Sequence, residues 1–380
     1  MIETKKFDNN MITFLEMCST CMKMCKDECP TAWATKSERI TPYSRSLMII
    51  LNEKGIREYD QAAIEAEYKC TTCWACEEAC LPKVGLPNMI EIARSHIIAK
   101  NPDLKPMNEI AKRVEAGHNP LNEPAEERFS RIKDLLPEKK EAEYVYFVGC
   151  MACFRYPEIA ESIIKVLKKL EIDFTVMIGD EWCCGSPIIR NGFTNLAKKL
   201  AQHNMEQFEK YKCKKIITGC SACYSTIKKD YPEMGITLNR EIQHFTEFFD
   251  ELRIKNNIKP NKTLNKIISY HDPCHLGRRM GVYDPPRNLL KEICGKKFIE
   301  MQFNREKTRC CGAGGGVRFN YSETANSIAI RRLEEAQFLK IDLLTSACPL
   351  CKNQLKVVQN DNNETEIKDI SEIIAYGYYE

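Results

Sequence analysis

Residues 144–150 read Tyr-Val-Tyr-Phe-Val-Gly-Cys, and residues 268–274 read Ile-Ser-Tyr-His-Asp-Pro-Cys. In both segments a strand-like run leads to a cysteine, and the second cysteine follows the first by 124 residues. Later cysteines repeat at nearly the same offset, which is 127 residues for Cys183 and 128 residues for Cys220. An offset that drifts by only four residues over a whole module indicates an internal duplication.

Both copies of the repeat alternate strand and helix candidates. The first copy has strand candidates at Tyr144–Val148, Phe174–Ile178 and Lys215–Thr218, and helix candidates at Ile159–Leu170 and Asn195–Tyr211. The second copy has strand candidates at Lys266–Tyr270, Lys297–Met301 and Asp342–Thr345, and helix candidates at Arg287–Ile293 and Glu323–Leu339. This alternation predicts two α/β modules, with each ligand cysteine at a strand end or a helix start.

Each copy carries a single cysteine, an adjacent pair and a closing C-x2-C. These are Cys150, Cys183, Cys184, Cys220 and Cys223 in the first copy, and Cys274, Cys310, Cys311, Cys348 and Cys351 in the second. Neighbouring side chains diverge on an extended backbone, so the adjacent pair suits separate irons, or one bridging and one terminal thiolate. Five thiolates also exceed the four corners of a cubane. The pattern favours an unusual cluster, with a cubane plus a spare thiol, or a redox-active dithiol, as alternatives.

The N-terminal cysteines form two further groups. They read Cys18-x2-Cys21-x3-Cys25-x3-Cys29-Pro and Cys70-x2-Cys73-x2-Cys76-x3-Cys80-Leu-Pro. The second group fits the C-x2-C-x2-C-x3-C spacing of two-cluster ferredoxins, in which the fourth cysteine ligates the other cubane. By that analogy one [4Fe–4S] cubane is expected on Cys18, Cys21, Cys25 and Cys80, and the other on Cys70, Cys73, Cys76 and Cys29. The alternative is a pair of four-cysteine zinc sites, which normally use two separated C-x2-C knuckles.

Composition narrows the class of protein. Cysteine supplies 21 of 380 residues, and a chain of this length does not need disulfides to hold its core. No signal segment opens the sequence, and the longest apolar stretch, Tyr144–Phe154, is too short to span a bilayer. A net charge of +3 argues against nucleic-acid binding. We therefore expect a cytoplasmic protein that binds metal through reduced thiols, without a membrane span of its own.

The expected organisation is α+β and multidomain. Residues 1–115 show helical periodicity, with helix candidates at Asp60–Tyr68 and Asn88–Ile98, and predict a helical ferredoxin-type domain with two [4Fe–4S] clusters. Residues 116–143 contain three prolines and many charges, and we interpret them as a connecting segment whose middle, Pro124–Leu136, could be helical. Residues 144–262 and 263–380 form the first and second repeated domains.

Several motifs resemble a known family. Trp182-Cys183-Cys184-Gly185 and Gly219-Cys220-Ser221-Ala222-Cys223 look like one cysteine-rich CCG domain. His271-Asp272-Pro273-Cys274-His275-Leu276, Cys310-Cys311-Gly312-Ala313-Gly314-Gly315-Gly316-Val317-Arg318 and Ala347-Cys348-Pro349-Leu350-Cys351 look like its partner. With the ferredoxin-like segment in front, the chain resembles the catalytic subunit of heterodisulfide reductases. It is also similar to iron–sulfur subunits of glycolate, lactate and glycerol-3-phosphate dehydrogenases.

The resemblance to the reductases implies two noncubane [4Fe–4S] clusters, one on the five cysteines of each CCG domain, with a disulfide cleaved between them. Together with the two cubanes this makes four [4Fe–4S] clusters. Cys153 lies outside that pattern and could replace Cys150 as a ligand. The glycines of 312–316 do not form a phosphate loop and are expected to allow close backbone approach to a cluster.

Two residues beside the cluster motifs are candidate catalytic groups. His275 could donate a proton to a departing thiolate, and the alternative is a structural histidine beside a cluster. Arg318, like Arg190, Arg278 and Arg279, could bind an anionic part of a substrate, although arginines at such places are usually solvated or in ion pairs.

The leading functional hypothesis is an electron-transferring disulfide reductase, whose substrate by resemblance is the heterodisulfide of coenzymes M and B in methanogenesis. Its electrons would come from a redox partner. The candidate classes of partner are a flavoprotein, a hydrogenase or formate dehydrogenase module, and a cytochrome b, the last of which would bring the protein to a membrane surface. The alternative is an electron-relay subunit of a flavin-dependent glycolate, lactate or glycerol-3-phosphate dehydrogenase. A zinc-bound interaction scaffold would leave the repeated Cys-Cys pairs unexplained.

Overall fold

The N-terminal region of the computed structural model, which describes residues 5–360 and 364–379, is helical. Between residues 5 and 117 it contains helices and no strand, at Asn9–Ser19, Pro30–Thr35, Pro42–Glu53, Gln61–Tyr68, Ala75–Glu78, Leu86–Lys100 and Met107–Gly117. The helix that begins at Asn9 is capped by the Asp8 carboxylate, which accepts from the Met11 N–H at 2.8 Å. It packs against the helix that begins at Pro42, where Leu15 and Ile49 are buried. The cysteine groups lie at the ends of these helices and in the turns between them, with Cys18 in the last turn of Asn9–Ser19 and Cys76 in the short helix Ala75–Glu78.

A four-stranded parallel sheet and its helices form what we call the first module. Its strands are β1 (Tyr144–Tyr146), β2 (Phe174–Thr175), β3 (Lys215–Thr218) and β4 (Glu241–His244), in the order β2-β1-β3-β4. Its helices are Cys150–Phe154, Pro157–Lys169, Ser186–Ile189, Thr194–Lys210, Ser221–Ser225, Tyr231–Glu233 and Phe245–Lys255. Short apolar strands that are buried on both faces are typical of parallel sheets with covering helices.

The second module repeats this topology. Its strands are β5 (Ile268–His271), β6 (Leu343–Ser346) and β7 (Glu366–Asp369), which pair in parallel in the order β5-β6-β7. Its helices are Asp284–Cys294, Val317–Asn320, Ser322–Phe338, Pro349–Val357 and Ile370–Tyr379. A single parallel bridge between Ile268 and Phe298 lies where β2 pairs with β1 in the first module. The two sheets therefore share one strand order, as the duplication predicts.

The two modules pack reciprocally. The last helix of the second module, Ile370–Tyr379, packs against Pro157–Lys169 of the first, and the last helix of the first, Phe245–Lys255, packs against Asp284–Cys294 of the second. One continuous hydrophobic core includes residues from all four helices. This exchange gives the pair of modules an approximate twofold symmetry, which turns corresponding edges of the two sheets towards each other.

Some details differ from the expectations. The predicted strand Lys297–Met301 forms only the bridge at Phe298, because a turn of 3-10 helix occupies Gly295–Lys297. The strands β4 and β7 were not predicted. The predicted helical middle of the connecting segment contains two short 3-10 helices, Ala125–Glu127 and Ser130–Leu135. Over the part of the chain that is described, none of the helices combines the length and the apolar character needed to cross a bilayer.

Candidate iron–sulfur site

The repeated cysteines lie beyond the carboxyl ends of the parallel strands. Cys150 follows β1, Cys220 follows β3, Cys274 follows β5 and Cys348 follows β6. In open α/β sheets this edge is where ligands bind, because the loops that connect strands to helices converge there. We call the five cysteines of the first module the first cysteine set and the five of the second module the second cysteine set. Nine of these ten, all but Cys310, line one shared cavity.

The ten thiols form a continuous series of contacts with the same order in both modules. In the first set the contacts join Cys150 to Cys183, Cys183 to Cys184, Cys184 to Cys223 and Cys223 to Cys220. In the second set they join Cys274 to Cys310, Cys310 to Cys311, Cys311 to Cys351 and Cys351 to Cys348. The two series meet where Cys220 contacts Cys348. The closing C-x2-C motifs thus face each other across the approximate twofold axis.

Backbone donors support the adjacent pair of each set in the same way. The Gly185 N–H donates to the Cys183 sulfur at 3.4 Å, and the Gly312 N–H donates to the Cys310 sulfur at 3.3 Å. Such N–H groups stabilise anionic sulfur. Contacts with neighbouring thiols and burial hold the pKa of Cys150 and of Cys274 well above its usual range, as expected where several thiols without metal share one buried space.

The first set has an additional donor from the connecting segment. The Arg128 Nη2 donates to the Cys150 sulfur at 3.4 Å and to Glu181 Oε1 at 2.9 Å. The Glu181 carboxylate in turn accepts from the N–H groups of Val148 and Gly149, at 2.8 and 2.9 Å. Arg128 and Glu181 are both buried, so this ion pair fixes the loop that carries Cys150. A charged residue in a polar segment gives no sequence signal for such a role.

The second set has a histidine beside it. A ring nitrogen of His271 and the sulfur atoms of Cys311 and Cys351 all lie within 4.8 Å of one another. The Nδ1 of His271 accepts from Arg332 Nε at 3.1 Å. Burial and the nearby Arg332 lower the pKa of His271 to about 3, so the imidazole is neutral at pH 7.

The N-terminal cysteines gather in two neighbourhoods. Cys18 lies near Cys21 and Cys80, and Cys25 lies near Cys18, Cys29 and Cys80. Cys76 lies near Cys70, Cys73, Cys29 and Cys25. The fourth cysteine of each group, Cys29 or Cys80, thus lies near cysteines of the other group, as the ferredoxin spacing implies, and Cys25 is near both neighbourhoods. The assignment of these eight residues to two cubanes remains a prediction.

The spacing of the N-terminal sulfurs does not fit zinc. In a tetrahedral four-cysteine site the sulfur atoms are about 3.8 Å apart, because each lies about 2.3 Å from the metal. Throughout residues 5–360 and 364–379, the trio around His271 is the sole group of three or more metal-ligating side chains with mutual distances within 4.8 Å. A cluster in which each cysteine binds a different iron requires wider spacing and suits this all-thiol donor set.

The N-terminal region touches the second cysteine set directly. The thiol of Cys73 contacts that of Cys310, and both lie in a small core with Cys274. Next to this contact, the glycine loop after Cys311 lies against the backbone of the second N-terminal group: a Cβ at Gly315 would overlap the carbonyl oxygen of Cys70. Gly314 and Gly315 therefore serve a close approach to the backbone of Cys70 and Thr71, whereas Gly312 approaches Ala325 of its own module and Gly316 approaches Asn191 of the first module.

A buried arginine joins all three regions at this point. Arg94 donates to the carbonyl oxygens of Glu67 and Cys70 at 2.6 and 2.7 Å, and to those of Arg190 and Gly315 at 2.5 and 2.8 Å. The first two carbonyls belong to the N-terminal region, Arg190 to the first module and Gly315 to the second. Only the packed structure reveals this role, because its four acceptors are backbone atoms far apart in sequence.

The two candidate catalytic residues lie in different places. His275 lines the shared cavity, and its Nδ1 is 3.1 Å from the Ser225 hydroxyl. Burial, with Arg190 and Arg279 nearby, lowers the pKa of His275 to about 3, so this imidazole is also neutral at pH 7. Arg318 is not among the residues that line the cavity, and its Nη1 donates to Gln354 Oε1 at 2.7 Å. The roles suggested for both remain predictions.

Other predicted candidates are engaged elsewhere. Arg190 lines the cavity but pairs with Glu91 at 2.8 Å and with Asp230 at 2.7 Å, and Arg279 also binds Asp230. Arg278 donates to the Cys73 carbonyl at 3.0 Å. Cys153 is buried beside Cys150 but does not line the cavity, which favours Cys150 as the ligand.

Comparison with known proteins agrees with the repeat. The model of the cysteine-rich domain CCG matches residues 144–228 and again residues 268–356. A subunit of the dihydromethanophenazine:CoB–CoM heterodisulfide reductase of Methanosarcina acetivorans is 34% identical over 98% of this chain and 96% of the relative. The EtfAB:quinone oxidoreductase of Syntrophomonas wolfei is 31% identical over 89% of this chain and 49% of the relative.

Further relatives are more distant. A subunit of the fumarate reductase (CoM/CoB) of Methanothermobacter marburgensis is 30% identical over 83% of this chain and 62% of the relative. Among solved structures, the glutamate racemase RacE1 of Bacillus anthracis matches with a TM-score of 0.30 and 16% identity, covering 62% of this chain and 80% of that one. A likeness at that level carries no information about the site.

Proposed function

Because the chain belongs to the family of CCG-domain heterodisulfide reductase subunits and is an iron–sulfur oxidoreductase, we propose that it reduces a disulfide to two thiols within the cavity shared by the two cysteine sets. The observation that carries this proposal is the series of ten thiols along one cavity, with Cys220 of one set in contact with Cys348 of the other. A substrate disulfide has two sulfur atoms, and a twofold pair of sulfur-rich sites offers one to each.

The donor set supports four iron–sulfur clusters. The first and second cysteine sets would hold one noncubane [4Fe–4S] cluster each, since five thiols exceed the needs of a cubane. The eight N-terminal cysteines would hold two cubanes, in a ferredoxin-type domain that extends to about residue 115. When bound, such clusters supply one-electron transfer and open iron positions that accept sulfur.

The reaction requires electrons and protons in equal number. Reduction of R–S–S–R′ to RSH and R′SH consumes two electrons and two protons. Among the described residues of the cavity wall, His275 and Arg190 are the two whose side chains carry N–H groups. Arg190 is engaged in ion pairs with Glu91 and Asp230, and the Nδ1 of His275 lies 3.1 Å from the Ser225 hydroxyl. We propose that His275 orients the substrate or a water at the sulfur that leaves. By the relatives' names, the substrate is a heterodisulfide such as that of coenzymes M and B.

The electrons come from a redox partner, which is a flavoprotein, a hydrogenase or formate dehydrogenase module, or a cytochrome b. The exposed thiol of Cys21 and the contact between Cys73 and Cys310 support a route that begins at the first N-terminal group and ends at the second cysteine set. The side chains of Met22, next to Cys21, and of Leu81, next to Cys80, are each 90% exposed and would be covered by that partner. The domain division at residues 115, 143 and 262 is part of this proposal.

The alternative is a relay that carries electrons without a substrate of its own. Its specific support is the similarity to an EtfAB:quinone oxidoreductase and to a fumarate reductase subunit, whose names specify other electron acceptors. A relay would need the N-terminal cubanes but would leave the shared cavity of the two cysteine sets without a purpose.

Disulfide reduction by the anaerobically purified chain, with a reduced viologen dye as donor, tests the proposal. The expected result is dye oxidation that depends on the mixed disulfide of coenzymes M and B and yields two thiols per disulfide. Cys213→Ser, which changes a buried thiol outside the cavity, serves as the matched control and should keep full activity. Dye oxidation by a quinone analogue but by no disulfide would instead establish the relay.

A further inference from the structure

The two cysteine sets receive matching support from the backbone but different support from side chains. The matching part is the pair of N–H donors from Gly185 and Gly312 to the first cysteine of each adjacent pair. Because both sets have this donor, it cannot account for a difference in reduction potential between the two sites. Any difference between them must come from the side chains that face the sulfurs.

In the first set a full positive charge reaches a sulfur atom. The Arg128 guanidinium donates to Cys150 at 3.4 Å, is buried, and is held by the equally buried Glu181. An arginine cannot lose its charge in a protein, and its hydrogen bonds to anionic sulfur are about twice as strong as those from neutral donors.

In the second set the comparable arginine, Arg332, contacts a histidine rather than a sulfur atom. Arg332 is buried and pairs with Glu335 at 2.7 Å, much as Arg128 pairs with Glu181. Its Nε donates to His271 Nδ1 at 3.1 Å, and a ring nitrogen of His271 lies within 4.8 Å of the sulfurs of Cys311 and Cys351. Since an arginine can only donate, Nδ1 must be the acceptor, and the single ring hydrogen is on Nε2.

This tautomer decides what His271 can do. With its Nδ1 lone pair occupied, the imidazole has one N–H left, on Nε2, and can offer nearby sulfur only a neutral donor. At the position 124 residues earlier the first module has Phe147, which cannot donate a hydrogen bond. The two sets are therefore supported by a charged donor in one case and a neutral donor in the other.

Hydrogen bonds and positive charge at cluster sulfurs are among the means by which proteins raise the reduction potential of iron–sulfur sites. We propose that Arg128 and His271 are the positioning residues that make the two sites of the proposed reductase unequal, with the site on the first cysteine set at the higher potential. This proposal rests on the presence of a cluster on each set. Because Cys73 contacts Cys310, electrons from the N-terminal region would enter at the second set and pass to the site of higher potential on the first set.

A redox titration followed by electron paramagnetic resonance tests the ordering on the anaerobically purified full chain. Arg128→Met is expected to shift the midpoint of the higher-potential CCG signal to lower potential and to leave the other signals unchanged. Arg128→Lys, which keeps the charge, should shift it less. Arg131→Met is the matched control, since Arg131 is an exposed residue of the same segment, and should shift nothing.

His271→Phe introduces into the second module the residue that the first module has at the equivalent position. This change should lower the midpoint of the lower-potential CCG signal only. His271→Gln, which retains an N–H donor, should lower that midpoint less. The proposal is overturned if Arg128→Met and Arg128→Lys both leave every midpoint in place, or if Arg128→Met shifts the lower-potential signal. If Arg128→Met does not retain its clusters, the Lys variant and the two His271 variants still decide. A wild-type chain with no CCG signal at all would refute the proposed function instead.

Discussion

The two CCG modules have the same strand order, the same five-cysteine pattern and the same sequence of thiol contacts, but their surroundings differ. Arg128 reaches Cys150 in the first module, whereas the buried imidazole of His271 lies beside the sulfurs of the second. The N-terminal region also packs directly against the second module, where Cys73 contacts Cys310 and the loop at Gly315 lies against Cys70. Duplication therefore preserved the cysteine pattern, while the neighbouring segments gave the two copies different surroundings, and in our proposal the second copy is the side of electron access.

The largest expected effect tests whether both modules are needed. Cys184→Ser and Cys311→Ser each remove the second cysteine of an adjacent pair, which contacts two other thiols of its set. We expect either change to abolish disulfide reduction and to lower the iron content by about four atoms per chain, while the N-terminal clusters remain. Activity and iron analysis measure this, with Cys213→Ser as control. Full activity in the Cys184 variant would mean that the first module is only structural.

The next largest effect concerns Arg94, which joins the N-terminal region to both modules next to that region's contact with the second module. Arg94→Met removes a buried donor to four carbonyl oxygens and leaves those acceptors unpaired. We expect the free energy of unfolding to fall by about 3 kcal/mol or more. Thermal unfolding checks the loss, and Arg113→Met, at an exposed position, should cost little. An unchanged unfolding temperature for Arg94→Met would show that the three regions are held together by other contacts.

A smaller effect is expected in the glycine loop. At Gly315, with φ +60°, alanine would be strained and would also collide with the backbone of Cys70. Gly281→Ala has a similar strain at φ +75° with open space around it, so the comparison isolates the collision. We expect Gly315→Ala to cost about 2 kcal/mol more than Gly281→Ala, and to slow reduction of the second cysteine set by the N-terminal region in stopped-flow experiments. Equal losses of unfolding free energy in the two variants would show that the loop can move to accommodate the added methyl group.

The smallest effect concerns pH and the buried histidines of the second module. At the positions of His271 and His275 the first module has Phe147 and Met151. The pKa of His275 is about 3 in the folded chain and about 6.5 in the unfolded chain. Above pH 6.5 its protonation does not affect stability, and as the pH falls from 6.5 towards 3 the unfolded chain takes up a proton that the folded chain does not.

His275→Met should therefore weaken the acid sensitivity. At pH 5 the wild-type histidine costs about 2 kcal/mol, so the fall in unfolding temperature between pH 7 and pH 5 should be smaller in the variant. His96→Met, at a histidine near the surface, is the control. If the unfolding temperatures of the wild type and of His275→Met fell equally between pH 7 and pH 5, the assignment of a neutral buried imidazole would be contradicted.

The elements that sequence reasoning located best have a strong local signal. The strand Lys215–Thr218 was predicted with its observed bounds, because an apolar run there is followed at once by Gly219-Cys220. The strands β4 and β7 were missed because each contains polar residues at alternate positions, as in Glu366–Asp369, and becomes a strand only by pairing at the edge of a sheet.

The same limit applies to the site. Cysteine spacing identified the groups of cysteines that the fold brings together, because spacing is a property of the chain, and their role as ligands stays a prediction. Arg128, Arg94 and His271 act through contacts with atoms 22 to 221 residues away in sequence, and no local pattern indicates them. Of the arginines near the motifs, Arg190 and Arg279 pair with Asp230 in the folded chain, in agreement with the ion-pair alternative, and no feature of the sequence identifies Asp230 as their partner.

Iron and acid-labile sulfide analysis of the anaerobically purified chain tests most directly the claim that both modules hold clusters. We predict about sixteen iron and sixteen sulfide per wild-type chain, and about eight of each when Cys184→Ser and Cys311→Ser are combined. A wild-type value near eight, unchanged in the double variant, would contradict the account by confining the clusters to the N-terminal region.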